Sequence, residues 1–267
     1  MLSDNAFVRY QRQICLPEVG EQGQKKLCDC SVLIIGCGGL GNAAALYLAG
    51  AGIGKLVICD DDDIELSNLS RQIAFRSDQI STSKVVSLAK QLTALNPECH
   101  VRTVARRVNR EILQLEAAMA DLVLDCSDNL ETRHLVNAVC LDSQVPLISG
   151  AAIGWDGQVI GFDFAASRTS GCYHCLVPTD SQNQPSKCSE RGVMGPVVGT
   201  IGNLQALLAI QYLIGLPEFK SHRLFKLDGK SLLCQTWELT RDPQCSVCGT
   251  WTEQQLAAQP ISEVESC

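Results

Sequence analysis

The sequence predicts an α/β protein in which short buried strands alternate with helices. Near the N-terminus, the apolar run Val32–Ile35 meets a glycine-rich turn, Gly36–Gly41, whose sequence is GCGGLG. A helical segment rich in alanine and leucine, residues 42–51, leads to a second apolar run, Leu56–Cys59, which ends on Asp60. Strand, glycine turn, helix and strand in this order form the opening βαβ unit of a Rossmann-like nucleotide-binding sheet.

The glycines of this turn have separate predicted roles. Gly36 permits a tight turn, Gly38 lets the backbone approach a phosphate, and Gly41 lets the helix pack closely on the strand. The helix N-terminus then offers unpaired N–H groups and a partial positive charge to an anion. Asp60 stands where this fold places an acid on a ribose hydroxyl. The simpler alternative is a core turn without a ligand, but it leaves the four aspartates after the second strand unexplained.

The chain then continues this alternation and changes to an antiparallel pattern. The spacing predicts helices at Ser81–Leu95, Arg110–Ala120 and Glu131–Asp142, and strands at Val101–Val104, Asp121–Cys126 and Val145–Ser149. An antiparallel strand at Trp155–Phe164, a long polar loop at 166–196, a helix at Gly202–Gly215 and a hairpin at Leu224–Leu227 and Leu232–Glu238 follow. We therefore expect an antiparallel extension of the sheet.

These segments predict a single domain over residues 1–249. Its parts are an N-terminal helical arm at 1–30, a nucleotide-binding core at 31–165, a crossover loop at 166–196, and a C-terminal helix, hairpin and metal-binding segment at 197–249. Residues 250–267 are expected to form a polar tail.

Composition limits the class of protein. The chain has 267 residues and a formal net charge of −7, which argues against a nucleic-acid binder because phosphate neutralisation needs a basic surface. Neither a secretory signal nor a membrane span is indicated. Fifteen cysteines without an export signal indicate a reducing compartment, so we expect a cytoplasmic protein whose thiols serve metals, chemistry or the core.

Two C-x-x-C pairs predict a zinc site. Cys172 and Cys175 form the first pair, and Cys245 and Cys248 form the second. Together they supply four thiolates, the ligand set of a tetrahedral structural zinc ion. The alternative is two unrelated thiol pairs or redox motifs. His174 lies inside the first pair, but with four thiolates available it need not be a ligand.

A set of polar residues predicts a site for a nucleoside triphosphate. Asp60, Asn68, Arg71 and Asp128 lie at or just beyond predicted strand ends, and Lys84 lies near a helix start. Ligands bind at this edge of open α/β sheets. An oxidoreductase that binds a dinucleotide needs little beyond the ribose acid. Two additional cations and a second acid suit three phosphates and a magnesium ion, although each residue alone would be an ordinary surface charge.

Cys188 is a third feature of chemical interest. It lies in the long loop between Lys187 and Arg191, and neighbouring cations favour the reactive thiolate form. From spacing alone, an exposed thiol without a function is an equally good interpretation.

Several motifs together resemble one known family. In chain order they are RYQRQICLPEVGEQGQKKL, GCGGLG, DDDDIELSNLSRQ, DCSDN, GCYHCL, CSERGVMGPVVGTIG and CSVCG. The chain from Arg9 to Gly249 is similar to the ThiF/MoeB/HesA family, relatives of the ubiquitin-activating enzymes. The DDDD run and GCYHCLVP most resemble the thiamine-pathway branch, ThiF, whereas the molybdopterin branch, MoeB, shares nearly all the functional positions.

The resemblance implies an adenylyltransferase that uses ATP and Mg²⁺ and carries Zn²⁺. Its substrate would be a ubiquitin-like sulfur carrier protein of the ThiS type, ending in Gly-Gly, which the enzyme activates for sulfur transfer in thiamine thiazole biosynthesis. Acyl-adenylate and pyrophosphate would be the products. A sulfur donor such as a cysteine desulfurase is a further implied partner, and a homodimer is implied as the assembly.

Individual roles also follow from the resemblance. Arg12 is similar to the family arginine that reaches the ATP site of the partner subunit. Cys188 resembles the cysteine that joins the activated carrier through sulfur in the ThiF branch. Arg71, Lys84 and Asp128 would complete the catalytic set, with Asp128 on Mg²⁺. The implied nucleotide contacts are Gly36, Gly38, Gly39, Gly41, Asp60, Asn68, Arg71, Gln72, Lys84, Asp128 and Asn129.

Other functions remain as alternatives. A MoeB-type activator of the molybdopterin synthase carrier would use the same site. A family member that adenylates a tRNA modification is disfavoured by the acidic charge. An NAD-dependent oxidoreductase would leave Arg71, Lys84 and Asp128 without a role. A zinc-stabilised scaffold would bind a partner and catalyse no pyrophosphate exchange.

Overall fold

The computed structural model describes residues 2–166, 171–179 and 192–249. Its strands are β1 Ser31–Ile35, β2 Lys55–Cys59, β3 His100–Val104, β4 Leu122–Asp125, β5 Leu147–Ile153, β6 Asp156–Phe162, β7 Arg223–Asp228 and β8 Leu233–Glu238. Its α-helices are α1 Asp4–Ile14, α2 Gly20–Asp29, α3 Gly39–Ala51, α4 Lys84–Leu95, α5 Arg110–Ala117, α6 Leu130–Ser143, α7 Tyr173–Leu176 and α8 Gly195–Ile214.

All eight of these strands form one mixed sheet in the order β3-β2-β1-β4-β5-β6-β7-β8. Strands β1 to β5 are parallel, and β6, β7 and β8 extend the sheet by antiparallel pairing. The predicted Rossmann-like sheet with an antiparallel extension is therefore confirmed. Strand order reverses between β1 and β4, and the crevice at such a switch point is the usual ligand site of open parallel sheets.

The central strands are apolar on both faces because helices cover both sides of the sheet. In β1, Val32 and Ile34 pack into one core with α3, α4 and α8, whereas Leu33 and Ile35 pack into a second core with α5 and α6. Continuous apolar runs are typical of such doubly covered strands. Strand β8 differs because all six of its side chains are exposed.

Helix α8 is longer than the sequence pattern predicted. It begins at Gly195 rather than Gly202, because Pro196 sits in its first turn, where proline is well accommodated. Gly202 is no helix breaker here: a Cβ at this position would meet the carbonyl oxygen of Leu40, so glycine allows α8 to pack closely on α3. By length and composition α8 could cross a membrane, but its Val197, Ile201 and other inward side chains are buried in the core.

The predicted crossover loop is only partly described. Its described portion contains the short helix α7, which was not predicted and which starts directly after Cys172. Cys188 and the polar tail at 250–267 lie outside the described residues.

The N-terminal arm is attached to the edge of the sheet opposite the glycine turn. The hydroxyl oxygen of Tyr10 accepts a hydrogen bond of 2.8 Å from Asn96, and Gln13 donates to the carbonyl oxygen of Ala51 over 3.0 Å. Ala51 ends α3, which begins at the glycine turn and is 13 residues long. At 1.5 Å per residue, α3 separates this part of the arm from the turn by about 20 Å.

Replacing Gly41 by alanine is expected to destabilise the fold, whereas replacing Gly50 in the same helix is not. A Cβ at position 41 would collide with the carbonyl oxygen of Gly36, while one at position 50 would lie 3.8 Å from Leu95 in ordinary contact. We expect Gly41→Ala to lower the free energy of unfolding by about 1–3 kcal/mol or more. Gly50→Ala should raise it by roughly 0.5–1 kcal/mol. Thermal and urea unfolding would measure both changes in the free energy of unfolding. Equal changes in the two variants would contradict the close approach of Gly41 to Gly36.

Candidate functional site

The glycine turn joins β1 to α3 at the carboxyl edge of the sheet. Gly36 has a φ of +93°, and a Cβ there would lie 2.8 Å from the carbonyl oxygen of Cys126. Gly39 has no room for a side chain because Val198 packs against it. At Gly38, the nearest atom to an added Cβ is Nε2 of Gln72, at 3.7 Å. Packing thus requires glycine at positions 36 and 39, whereas the open face of Gly38 is accessible to a ligand.

Asp60, at the end of β2, braces this turn. Its carboxylate accepts hydrogen bonds from the backbone N–H groups of Cys37, at 2.6 Å, and Asp62, at 2.9 Å. Burial raises the pKa of Asp60 above its ordinary value, and Lys84 and the two N–H groups oppose that rise. Asp60 therefore lies beside the turn, as predicted, and also has a structural role there.

Lys84 lies at the first residue of α4 and points towards the aspartates that follow β2. Its ammonium group is buried and lies 2.6 Å from a carboxylate oxygen of Asp62. Asp62 is one of the four consecutive aspartates after β2, and its pairing with Lys84 is not visible in the motifs. The structure brings Lys84 and Asp60 together at this edge, with Asp62 as the direct partner of the cation.

The loop after β2 is fixed against the glycine turn by a side chain that the motifs did not identify. The buried amide of Asn42 donates to the carbonyl oxygen of Cys37 and accepts from the N–H of Ala74. In this loop, Arg71 lies next to Gly39. Asn42 thereby holds the loop, at Ala74, against the glycine turn, at Cys37.

Three predicted nucleotide contacts lie on this loop. Arg71 donates to the carbonyl oxygen of Ser67 over 3.0 Å, and Asn68 is buried in a short 3₁₀ turn, Leu66–Asn68. Gln72 is buried beside Gly38, and its Oε1 has no hydrogen-bond partner among the described residues. A buried acceptor without a donor costs free energy, which a ligand or water can relieve. Gln72 is thus placed to meet a group bound at the turn.

Asp128 and Asn129 follow β4 on the other side of the glycine turn. Asp128 is exposed at this edge. Asn129 begins α6, and its side-chain oxygen accepts a hydrogen bond of 2.9 Å from the N–H of Thr132. Asn129 therefore caps a helix in this structure, and its predicted nucleotide contact stays a prediction.

A buried network that sequence reasoning missed holds the segment before Asp128. The carboxylate of Asp125 accepts from the N–H and the hydroxyl of Ser127, at 3.1 and 2.6 Å. The guanidinium of Arg133 lies 4.0 Å from Asp125 and donates to the carbonyl oxygen of Ser127. Because buried charges need partners, this ion pair restrains the turn that carries Asp128.

Arg12 is not brought to this edge. It lies on α1 beside Gln13, which contacts the far end of α3. Arg12 is exposed, and Val8, four residues earlier, shares its outward helix face and is 73% exposed. Within one chain, Arg12 and the glycine turn are on opposite edges of the sheet.

The two C-x-x-C pairs converge, as predicted, into one cluster. The sulfurs of Cys172 and Cys245 are 3.8 Å apart and those of Cys175 and Cys248 are 3.4 Å apart, and all four lie within 4.8 Å of one another. Zinc–sulfur bonds of about 2.3 Å in a tetrahedron require sulfur separations of about 3.8 Å. The donor set and spacing fit a structural zinc ion.

The environment of the cluster also favours the charged form of its first ligand. The hydrogen bond with the Cys248 thiol, together with N–H groups at the start of α7, lowers the pKa of Cys172 to about 5, against the effect of burial. Sharing that proton raises the pKa of Cys248. A metal ligand must be a thiolate, so a stabilised Cys172 thiolate suits metal binding.

Comparison with known proteins identifies the family. The family model described as "ThiF family" matches residues 10–247. The chain belongs to the ThiF family. This ThiF-family chain is 46% identical over 248 residues to the sulfur carrier protein ThiS adenylyltransferase of Escherichia coli (strain K12), covering 93% of this chain and 97% of that protein. It is 41% identical over 248 residues to the molybdopterin-synthase adenylyltransferase of the same strain, covering 93% and 98%.

Solved structures support the fold of this ThiF-family chain. The E. coli MccB structure with MccA-N7isoASN superposes with a TM-score of 0.77 at 23% identity, covering 90% of this chain and 74% of that one. At this identity the similarity concerns the fold alone. The predicted enzyme class is confirmed by the two sequence relatives: the chain is an adenylyltransferase.

Metal analysis of the purified protein is expected to find about one zinc ion per chain, as four thiolates form one tetrahedral site. Cys172→Ser should lower the zinc content to below about 0.1 per chain, because three remaining sulfurs leave the tetrahedron incomplete. Cys234→Ser is the matched control: this cysteine is exposed on β8, outside the cluster. Folded, metal-free wild-type protein would contradict the zinc assignment.

Proposed function

We propose that this protein adenylylates the C-terminal glycine carboxylate of a ubiquitin-like sulfur carrier of the ThiS type, with ATP as the nucleotide, in thiamine thiazole biosynthesis. The observation that supports the proposal is the arrangement of polar residues on both sides of the glycine turn in this adenylyltransferase chain. The open glycine turn lies between Asp60 and Lys84 on one side and Asp128 on the other, at the switch point of the sheet. That arrangement can take a ribose, phosphates and a magnesium ion together.

The chemistry of this step suits the side chains at the edge. A C-terminal carboxylate has an ordinary pKa of roughly 3.5 and is ionised at pH 7, so its attack on the α-phosphate needs no general base. The barrier is the approach of two anions and the departure of pyrophosphate. Arg71 and Lys84 would offset the phosphate charge, and Asp128 would hold Mg²⁺, which neutralises charge on the leaving pyrophosphate. Asp62 would then release Lys84 to the phosphates.

A protein substrate is supported by apolar surface at the same edge. Strands β5 and β6 meet near Trp155, and β7 and β8 meet near Leu232, so both hairpin tips lie at the carboxyl edge of the parallel strands. Leu232 and Leu233 are 78% and 64% exposed, and Trp155 is also exposed. Exposed apolar groups beside a reactive site suit a protein partner. The carrier would dock here with its tail extended towards the glycine turn.

The thiamine branch is favoured over the molybdopterin branch by the higher identity to the ThiS adenylyltransferase, 46% against 41%. The DDDD run and the GCYHCLVP segment support the same choice. The second candidate is activation of the molybdopterin synthase carrier, which the other relative favours. In either case a sulfur donor such as a cysteine desulfurase would act after adenylylation.

In a homodimer, Arg12 could act at the site of the other subunit, although it is far from the site of its own chain. Arg12 is next to Gln13, which contacts the far end of α3, and the length of that helix, about 20 Å, separates this part of the arm from the glycine turn of its own chain. In a two-fold dimer, the arm of one subunit would bring this cation to the phosphates of the other. The exposed Val8 on the same helix face would become part of that interface.

Cys188 completes the proposal for the later sulfur step. Its neighbours Lys187 and Arg191 would favour a thiolate, which could join the activated carrier through sulfur. This role is independent of adenylate formation.

The test of the proposed function is carrier-dependent ATP–pyrophosphate exchange. Purified enzyme is mixed with a ThiS-type carrier, with a molybdopterin synthase carrier, or with either carrier lacking its last glycine. We expect exchange with the intact ThiS-type carrier and none with truncated carriers, because a tail one residue shorter leaves its terminal carboxylate roughly 3.5 Å short of the α-phosphate. Exchange with the molybdopterin carrier alone would select the second candidate. Binding of NAD without ATP would overturn the proposal.

Asp128→Ala is expected to lower the exchange rate by roughly 100-fold or more, because the magnesium ion would lose its carboxylate. The fold should survive, since Asp128 is exposed. Asp78→Ala is the control, because Asp78 is an exposed carboxylate on the 3₁₀ turn Ser77–Gln79. If the Asp128→Ala variant catalysed exchange at the wild-type rate at every magnesium concentration, Asp128 would have no role in the mechanism.

Arg12→Ala and Asp128→Ala are each expected to be inactive alone and to regain activity when mixed. Half of the randomly reassorted dimers contain one copy of each variant, and each mixed dimer has one intact site. The expected recovery is therefore about a quarter of the wild-type exchange rate. Reassortment of the subunits would be verified with tagged chains. Mixed dimers without activity would show that Arg12 does not act across the interface.

A further inference from the structure

His174 lies between the two halves of the cysteine cluster, and its ring is buried. It belongs to α7 inside the first C-x-x-C pair, yet its Nδ1 is 3.5 Å from the sulfur of Cys245 in the second pair. The other ring nitrogen, Nε2, is 3.1 Å from the hydroxyl of Thr179 and 3.5 Å from the hydroxyl of Ser246. One imidazole thus connects a cluster sulfur to two segments that flank the cluster.

The hydrogen bonds determine which ring nitrogen carries the proton. The backbone N–H of Thr179 points at Nε2 over 3.5 Å, and a backbone N–H can only donate. Nε2 of the neutral ring is therefore the acceptor, and both nearby hydroxyls can also donate to it. In this tautomer, Nδ1 carries the hydrogen and donates it to the sulfur of Cys245.

His174 is not itself one of the converging ligands. The group of donor atoms that lie within 4.8 Å of one another consists of the four cysteine sulfurs and does not include His174. Four thiolates fill a tetrahedral zinc site. An N–H group aimed at one of these sulfurs contacts a metal ligand and not the metal, and such contacts orient the ligand and tune the metal.

We infer that His174 is a positioning residue that stabilises the Cys245 thiolate on zinc and thereby slows release of the metal. The N–H···S hydrogen bond withdraws electron density from the sulfur, so this thiolate is a weaker nucleophile towards thiol reagents and competing protons. The contacts of Nε2 hold the ring in this orientation. The inference rests on zinc binding by the four cysteines and not on the adenylylation chemistry.

The test is the rate at which zinc-loaded protein releases its metal to a thiol-reactive reagent, followed with a zinc indicator dye. His174→Asn places an amide N–H near the position of Nδ1, whereas His174→Phe keeps a ring without a donor. We expect the Phe variant to release zinc about 10–100-fold faster than wild type, and the Asn variant to remain within about 3-fold. His100→Gln is the matched control, because His100 is exposed on the edge strand β3.

Three results on zinc release and zinc-free folding would overturn the inference, and a fourth concerns the cobalt spectrum described below. The first three are wild-type release rates in the Phe variant, equally fast release from the Phe and Asn variants, and wild-type protein that folds without zinc. A measurement on wild-type protein alone keeps the inference testable if a variant does not fold. Cobalt-substituted protein should show the absorption bands of a four-sulfur site, and a three-sulfur, one-nitrogen spectrum would make His174 a ligand instead. Because all readouts concern the metal, failure of the proposed adenylylation would not alter them.

Discussion

The close approach of α3 to β1 is the constraint on which the glycine turn and the candidate site around it depend. Gly41 lies so close to the carbonyl oxygen of Gly36 that no side chain fits, and this contact sets the shape of the turn. The turn then presents the N–H of Cys37 to Asp60 and the amide of Asn42 to the following loop. The packing of Gly41 on Gly36, the carboxylate of Asp60 and the amide of Asn42 together hold the turn, the following loop and the N-terminus of α3 in place.

The charges at this edge are held in place by pairing and burial. Lys84 is buried and paired with Asp62, and the turn before Asp128 is restrained by the buried Asp125–Arg133 pair. The turn before Asp128 would lose little freedom when a ligand binds, because its geometry exists beforehand, whereas Lys84 would exchange Asp62 for the phosphates. The two sides of the site are braced separately: one by the aspartates after β2, the other by the network behind β4. A substrate that spans the site would contact both the side after β2 and the side after β4.

The cysteine cluster performs a different task, joining parts of the chain that are distant in sequence. Its paired ligands, such as Cys172 and Cys245, are separated by 73 residues. A zinc ion bound by both pairs would close this long segment and restrict the unfolded chain considerably. The residues between them include α8 and the antiparallel strands β7 and β8. Bound zinc would thus hold the second pair, at 245–248, against the first pair at α7.

The sequence alone determined the sheet class, the glycine turn and the pairing of the cysteines, because each depends on local spacing. A strand length, a helical period or a C-x-x-C turn is visible in neighbouring residues. The tertiary structure decided features that depend on residues far apart in the chain. The partner of Lys84 is Asp62, Arg133 supports the segment before Asp128, and α8 begins earlier than its glycines suggested because they serve close packing on α3. Likewise, only folding reveals that Arg12 lies at the opposite edge from its expected ligand, since the anchoring of α1 requires contacts with the ends of two other helices.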